Sequence, residues 1–283
     1  MLRPRVALVV VSALCLAGVA MRAQGVAGDT GGLLSRVGEY VEAYYSQAQS
    51  IIAVETVTIQ QVGRDGAGDG FARRFVYSLR VEWRPAGDGP PDAQLTRELV
   101  SVNGRPPRAG DEPHCTAPSA ITPEPLAMFL RQRQGEFIFD RAERSQVDRR
   151  AATRLDYRLR RPEADVVSWD RECVSMNFPG RLRGRVWLDE RSGEVLRIDE
   201  GTIGPVDMIT PRQQQRRGTE SVLVFERSNV SIRYKPVTFR EPDETLLLPA
   251  SIDSLTMARN GGTRRTQTYS GYRRFVTGGR LVQ

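Results

Sequence analysis

Two hydrophobic periodicities divide the chain. Between Leu33 and Ala48 the apolar residues fall at Leu33, Leu34, Val37, Tyr40, Val41, Tyr44, Tyr45 and Ala48, with Arg36, Glu39, Glu42 and Gln47 between them. Steps of three and four residues put the first set on one side of a helix, and Asp29-Thr30 supplies a start signal. The pattern predicts an amphipathic helix that must cover something apolar. Its stripe of Tyr40, Tyr44 and Tyr45 packs on a sheet or lines a ligand pocket.

From Ile51 onward the period is two. Phe75, Tyr77, Leu79, Val81 and Trp83 alternate with Val76, Ser78, Arg80 and Glu82. Leu155, Tyr157 and Leu159 alternate with Asp156 and Arg158, and Val230, Ile232 and Tyr234 with Ser231 and Arg233. Strands with one wet face belong to antiparallel sheets. Asn103-Gly104 and Asn260-Gly261-Gly262 are hairpin signals, and Ser192-Gly193 turns a third hairpin between Val186 and Ile198. Gly63 to Gly70 is a glycine-rich connection between two strands, not a phosphate loop. Asp189, Glu190 and Glu194 are the acids of a solvated turn. Between Gly104 and Pro125 seven prolines and glycines, among them Pro106, Pro107 and Pro113, exclude regular structure through most of the segment. A loop of that length is a lid, a binding loop or a disordered excursion. Leu126, Phe129 and Leu130 after it predict a short second helix. The fold class expected is mainly β with few helices (α+β), a large antiparallel sheet covered by the N-terminal helix and the second one.

The N-terminus changes the charge and redox picture. Met1-Leu2-Arg3-Pro4-Arg5, an apolar run from Val6 to Ala20 and a small-residue site at Ala23 have the layout of a secretory signal peptide. The run is too short to span a membrane. Leu14 before Cys15 is too bulky for a lipoprotein signal. The expected organisation is a cleaved segment 1–23 and a single mature domain 24–283, periplasmic or secreted. Loss of Arg3, Arg5 and Arg22 lowers the net charge from +7 to +4. Lys235 is the only lysine, and the arginine pairs are dispersed among acids. The surface is therefore read as solvated, and no nucleic-acid groove is expected. Cys115 and Cys173 remain after processing. In an oxidising compartment they form a disulfide closing about 58 residues, or else stay free.

The search for chemistry is largely negative. His114 is the only histidine, so neither a multi-histidine metal site nor a convincing Ser-His-Asp set is available. No dinucleotide or nucleotide fingerprint follows a strand. No cofactor and no catalytic residue is expected, although acids acting in pairs could support a secreted hydrolase.

Two segments carry a resemblance. Gly184-Arg185-Val186-Trp187-Leu188-Asp189-Glu190-Arg191-Ser192-Gly193-Glu194-Val195-Leu196-Arg197 resembles the Trp-Asp hairpin of periplasmic proteins with the lipoprotein-carrier (LolA/LolB-like) fold. Leu247-Leu248-Pro249-Ala250-Ser251-Ile252, followed by Thr268-Tyr269-Ser270-Gly271-Tyr272-Arg273-Arg274-Phe275, is similar to the closing strands of secreted proteins of acidobacterial type, as is Leu99 to Arg105 to an earlier segment of them. The resemblance implies a curved half-barrel with helices over its concave side and a space between them for acyl chains. No residue matches a lipoprotein-release determinant, so sorting does not follow from the fold. The leading expectation is an exported, non-enzymatic envelope protein that binds a lipid, a lipoprotein acyl chain or another apolar ligand in the half-barrel. Phe75, Trp83, Trp187 and Leu255 are its candidate ligand-facing residues. The alternative is an envelope interaction module with a filled core, recruiting a cell-envelope protein through an edge or the segment 104–125.

Overall fold

The structure, a computed structural model, describes residues 30–48, 50–84, 92–111, 124–170, 173–212, 215, 221–240 and 243–274. The expected signal segment, His114, Cys115 and most of the proline-rich loop lie outside these residues. No described helix is long and apolar enough to cross a membrane.

Helix α1 (Thr30–Gln47) forms where the 3.6-residue period predicts it, and Leu33, Val37, Val41, Tyr44 and Tyr45 are its buried side. The strands follow as β1 (Ser50–Val62), β2 (Gly68–Arg84) and β3 (Asp92–Val102). Two single-turn helices come next, α2 (Glu124–Ala127) and α3 (Arg131–Gln134). Then come β4 (Phe137–Val147), β5 (Arg150–Leu159), β6 (Val166–Asp170), β7 (Cys173–Asn177), β8 (Leu182–Asp189) and β9 (Val195–Thr202). The last are β10 (Val206–Ile209), β11 (Val222–Arg240), β12 (Asp243–Ala258) and β13 (Gly261–Arg274). Eleven strands make one open sheet in the order β3-β2-β1-β13-β12-β11-β9-β8-β5-β4, with β10 paired to β11 and a separate β6-β7 hairpin. Every pairing is antiparallel. The sheet does not close, because β3 and β4 end the order without meeting. This is a half-barrel with a helix over one face.

The alternation read along β2 is met residue by residue: Phe75, Tyr77, Leu79, Val81 and Trp83 are all buried. The same holds for Leu155 and Tyr157 in β5 and for Ile232 and Tyr234 in β11. These residues share the face that α1 covers. The short second helix is α2 and α3 with Leu126 to Leu130 buried between them. Full burial of such side chains stabilises by about 1.5–3 kcal/mol each, which is what holds α1 down.

Three connections differ from expectation. Asn103 (φ 50) and Gly104 (φ 80) do form a tight turn, but the chain returns through a single bridge, Val102 to Arg105. Pro106 and Pro107 follow at once and have no N–H to continue a ladder. At the other site Ala258 pairs with Gly261, so Arg259 and Asn260 are the turn residues and both glycines lie in β13. The Gly63–Gly70 connection is shorter than expected, since β2 begins at Gly68.

The β8–β9 turn is structural, as its residue types suggested. Asp189 accepts hydrogen bonds from the N–H groups of Arg191 (2.9 Å) and Ser192 (3.0 Å). Arg150 clamps it from β5 at 2.7 Å and also meets Glu194. Burial by itself would raise the Asp189 pKa, but the Ser192 N–H, Arg150 and the Arg191 N–H bring it down to about 2. A carboxylate held below its unfolded value near 3.9 stabilises the fold above about pH 4 and loses that contribution as pH falls towards 2. Asp189→Asn is therefore expected to melt lower than wild type at pH 7, with the gap closing by pH 2. A gap that stays constant over that range counts against the clamp.

Between the apolar clusters on the helix-covered side sits one charged group that periodicity does not anticipate. Glu55 of β1 is fully buried. Its Oε2 meets Nε of Arg97 from β3 at 2.8 Å, and its Oε1 accepts from Arg97 (3.0 Å), Gln267 (2.8 Å) and Tyr269 (3.2 Å).

Candidate functional site

The two faces of the sheet offer different sites. Under α1, Tyr45 packs edge-on against Trp83 at 5.6 Å and Tyr44 against Tyr45 at 5.6 Å. Phe129 stacks on Phe139 at 5.6 Å. Val37, Val41, Leu155, Leu188 and Ile198 have no exposed surface. The β8–β9 turn presses so closely on α1 that a Cβ at Gly193 would lie 2.9 Å from the backbone of Arg36. Gln134 adds hydrogen bonds to the carbonyls of Leu34 (2.9 Å) and Phe129 (2.7 Å). The interface is occupied by the protein's own side chains. At its margin Tyr157 donates to Glu200 at 2.6 Å, and burial raises the pKa of both groups.

The opposite face carries an open cavity of about 1040 Å³. It is a groove that crosses β5, β8, β9, β11, β12 and β13, six neighbours in the sheet, with Asp140 and Arg141 of β4 at one end. Strand register explains its construction. One row of directly opposed residues reads Asp156, Arg185, Asp199, Ser231, Asp253 and Thr266. A second row reads Arg183, Gly201, Asn229, Leu255 and Arg264. Between them runs the row Tyr157, Gly184, Glu200, Val230 and Ser254, whose side chains belong to the other face. Gly184 shows this directly, since a Cβ there would overlap the Tyr157 ring at 2.0 Å. The groove floor is thus main chain, and its walls are alternate side chains about 6.6 Å apart along each strand. Six strands at about 4.8 Å spacing make it about 24 Å long.

Two acids of the groove are engaged. Arg197 holds Asp199 in a two-point contact of 2.8 and 2.7 Å, and Ser231 donates to it at 2.7 Å. Asp156 lies 3.7 Å from Arg141 and 3.8 Å from Arg154. Among the described residues no group of His, Cys, Asp and Glu is placed to hold a metal ion.

The four ligand-facing candidates are not brought together. Phe75 lies in a satellite cluster with Val57, Ile59, Tyr77 and Val102. Trp83 lies under α1. Trp187 is buried with its indole N–H on Ser145 Oγ at 3.1 Å and Arg197 over its ring at 4.8 Å. Leu255 lines the groove. Reading the strands singly marked Asp156, Arg158 and Ser231 as polar-face residues but missed the groove, since only the strand order aligns them.

The fold and site define an open antiparallel half-barrel with a filled helix-covered side and a polar groove behind it. No protein-family model matches the chain, and no curated protein matches its sequence. Among solved structures it is similar to a domain described as an outer membrane lipoprotein-sorting protein from Vibrio parahaemolyticus (11% identity, 85% of this chain and 91% of that one, TM-score 0.38). It is also similar to a LolA superfamily protein from Nitrosomonas europaea (12%, 88% and 94%, TM-score 0.32). A DUF1329 family protein from Desulfovibrio piger is a third (11%, 88% and 92%, TM-score 0.39). At these scores the backbones coincide only in part, and the strand order and groove stand on this chain's own geometry.

Proposed function

We propose that the protein is an exported binding module of the cell envelope that acts without covalent catalysis. Its helix-covered side is scaffold, and the open sheet face is its working surface. The observation that carries this reading is the packing under α1, where Val37, Val41, Leu155, Leu188 and Ile198 are fully enclosed while the open cavity lies on the opposite face. Export is supported by the basic, apolar and small-residue layout of segment 1–23.

A second reading is favoured by the chemistry of what α1 covers. Leu79, Val81, Trp83, Leu246 and Leu248 form a continuous apolar surface. Were α1 to lift, that surface would accept a lipid or a lipoprotein acyl chain at about 0.8 kcal/mol per buried CH₂. The test is natively purified mature protein, extracted with organic solvent for mass spectrometry and titrated with a lipid-mimetic dye. The filled module predicts no extractable lipid and no dye binding. A lipid recovered at one equivalent overturns it in favour of the carrier.

A further inference from the structure

We infer that the groove across β5, β8, β9, β11, β12 and β13 binds a linear, hydroxyl-rich glycan of no net charge. The inference rests on the open face being the working surface.

The floor excludes the commonest way of holding a peptide. An extended peptide is captured by pairing its backbone to an exposed strand edge. Here the floor is made of strands whose hydrogen bonds are spent on both neighbours, so recognition falls to side chains alone. A peptide lying across them would leave its own N–H and C=O groups without main-chain partners. A glycan has no such requirement. Its hydroxyls donate and accept, and they project from both edges of each sugar ring.

The walls supply that complement. Asp156 and Asp253 in one row offer acceptors only, while Arg185 beside them and Arg158 and Asn229 across the floor offer donors. The guanidiniums of Arg158 and Arg185 make no hydrogen bond or ion pair with the described residues. By contrast, Arg183 and Arg264 are turned to the carbonyls of Leu182 (2.7 Å) and Gly66 (3.2 Å). Gly201 leaves the middle of its row without a side chain, and the Asn229 amide lies over it, 2.8 Å from where a Cβ would stand. The result is a shallow, single-chain trough with paired donors and acceptors.

Charge then selects among polymers. On the groove side the lining carries five arginines (141, 158, 183, 185 and 264) and four carboxylates (140, 156, 199 and 253), the Glu200 side chain being turned to the other face beside Tyr157. With acids interleaved among the arginines and a small residual charge, the groove has little field to draw in a polyanion, in contrast to a nucleic-acid channel.

The test uses lipid-free mature protein, three hexasaccharides (cellohexaose, hexa-N-acetylchitohexaose and a polygalacturonate hexamer) and a charged hexapeptide, followed by calorimetry. At least one neutral hexamer is expected to bind with little dependence on salt, and its trimer at least tenfold more weakly, because a trimer spans half the strands. Asp253→Ala and Arg185→Ala are each expected to weaken binding at least tenfold. Glu98→Ala on the distant β3 should leave it unchanged, and circular dichroism should show all three variants folded. The assignment is overturned if no hexamer binds at millimolar concentration, if the two groove variants bind as wild type does, or if only the uronate hexamer or a charged peptide binds. Those results leave the module reading standing, whereas a co-purifying lipid removes that reading whatever the glycans do.

Discussion

Glu55→Ala is expected to be among the most destabilising single changes in this protein, at about 3–5 kcal/mol. The reason is asymmetry. Glu55 is fully buried, and Arg97 reaches it by two contacts from β3, two strands away in the sheet. Removing the carboxylate takes two contacts from the largely buried Arg97 guanidinium, and Gln267 and Tyr269 lose a shared acceptor. The pair as a whole need not stabilise, because desolvating two charges offsets most of their attraction. Glu55→Leu combined with Arg97→Met should therefore recover most of the loss. Urea unfolding of the single and double variants decides the matter. A double variant as unstable as Glu55→Ala would mean that the cost arises from packing and not from the broken ion pair.

The second large effect is expected at Gly193. Its φ of 73 lies in the left-handed region, which costs a residue with a Cβ about 1–2 kcal/mol. Overpacking adds a further cost of about 1–3 kcal/mol, since the new Cβ would meet the Arg36 carbonyl and the Val37 nitrogen at 2.9–3.0 Å. Those are main-chain atoms of α1 and cannot swing aside, so Gly193→Val should push the helix off the β8–β9 turn. Gly66→Val is the control. It has a similar φ of 76 with nothing near its Cβ and should show the conformational cost alone. Thermal melts give the two costs, and hydrogen exchange of the α1 amides shows whether the helix has loosened. Equal melting temperatures for the two variants would remove the idea that the turn clamps α1. If Gly193→Val also gains dye binding, the apolar surface beneath α1 is competent to take a ligand once uncovered.

How much was legible depended on whether a feature is local. The burial of Val37, Val41 and Tyr44 in α1, and of every second residue from Phe75 to Trp83, follows from side-chain direction along a single element. The Ser192-Gly193 turn follows from backbone preference. The Asn103-Gly104 signal was correct as a turn and wrong as a hairpin because Pro106 and Pro107 act just beyond it. Glu55 was not legible: a carboxylate in an alternating strand gives no sign that Arg97, Gln267 and Tyr269 will be assembled around it. The groove was hidden for the same reason. Asp156, Arg185, Asp199, Ser231 and Asp253 lie on five different strands, and each is unremarked as one polar residue among many.

By itself, then, the chain's order of apolar and polar residues determined an antiparallel sheet with one wet face, a helix to cover the dry one, and turns at the right intervals. Those are consequences of steric preference and burial acting within a dozen residues. Only the tertiary structure decided that the covered side is filled, that a buried ion pair divides it, and that the wet faces of six strands line up into one groove. Register between strands distant in sequence sets all three, and register is a property of the assembled sheet.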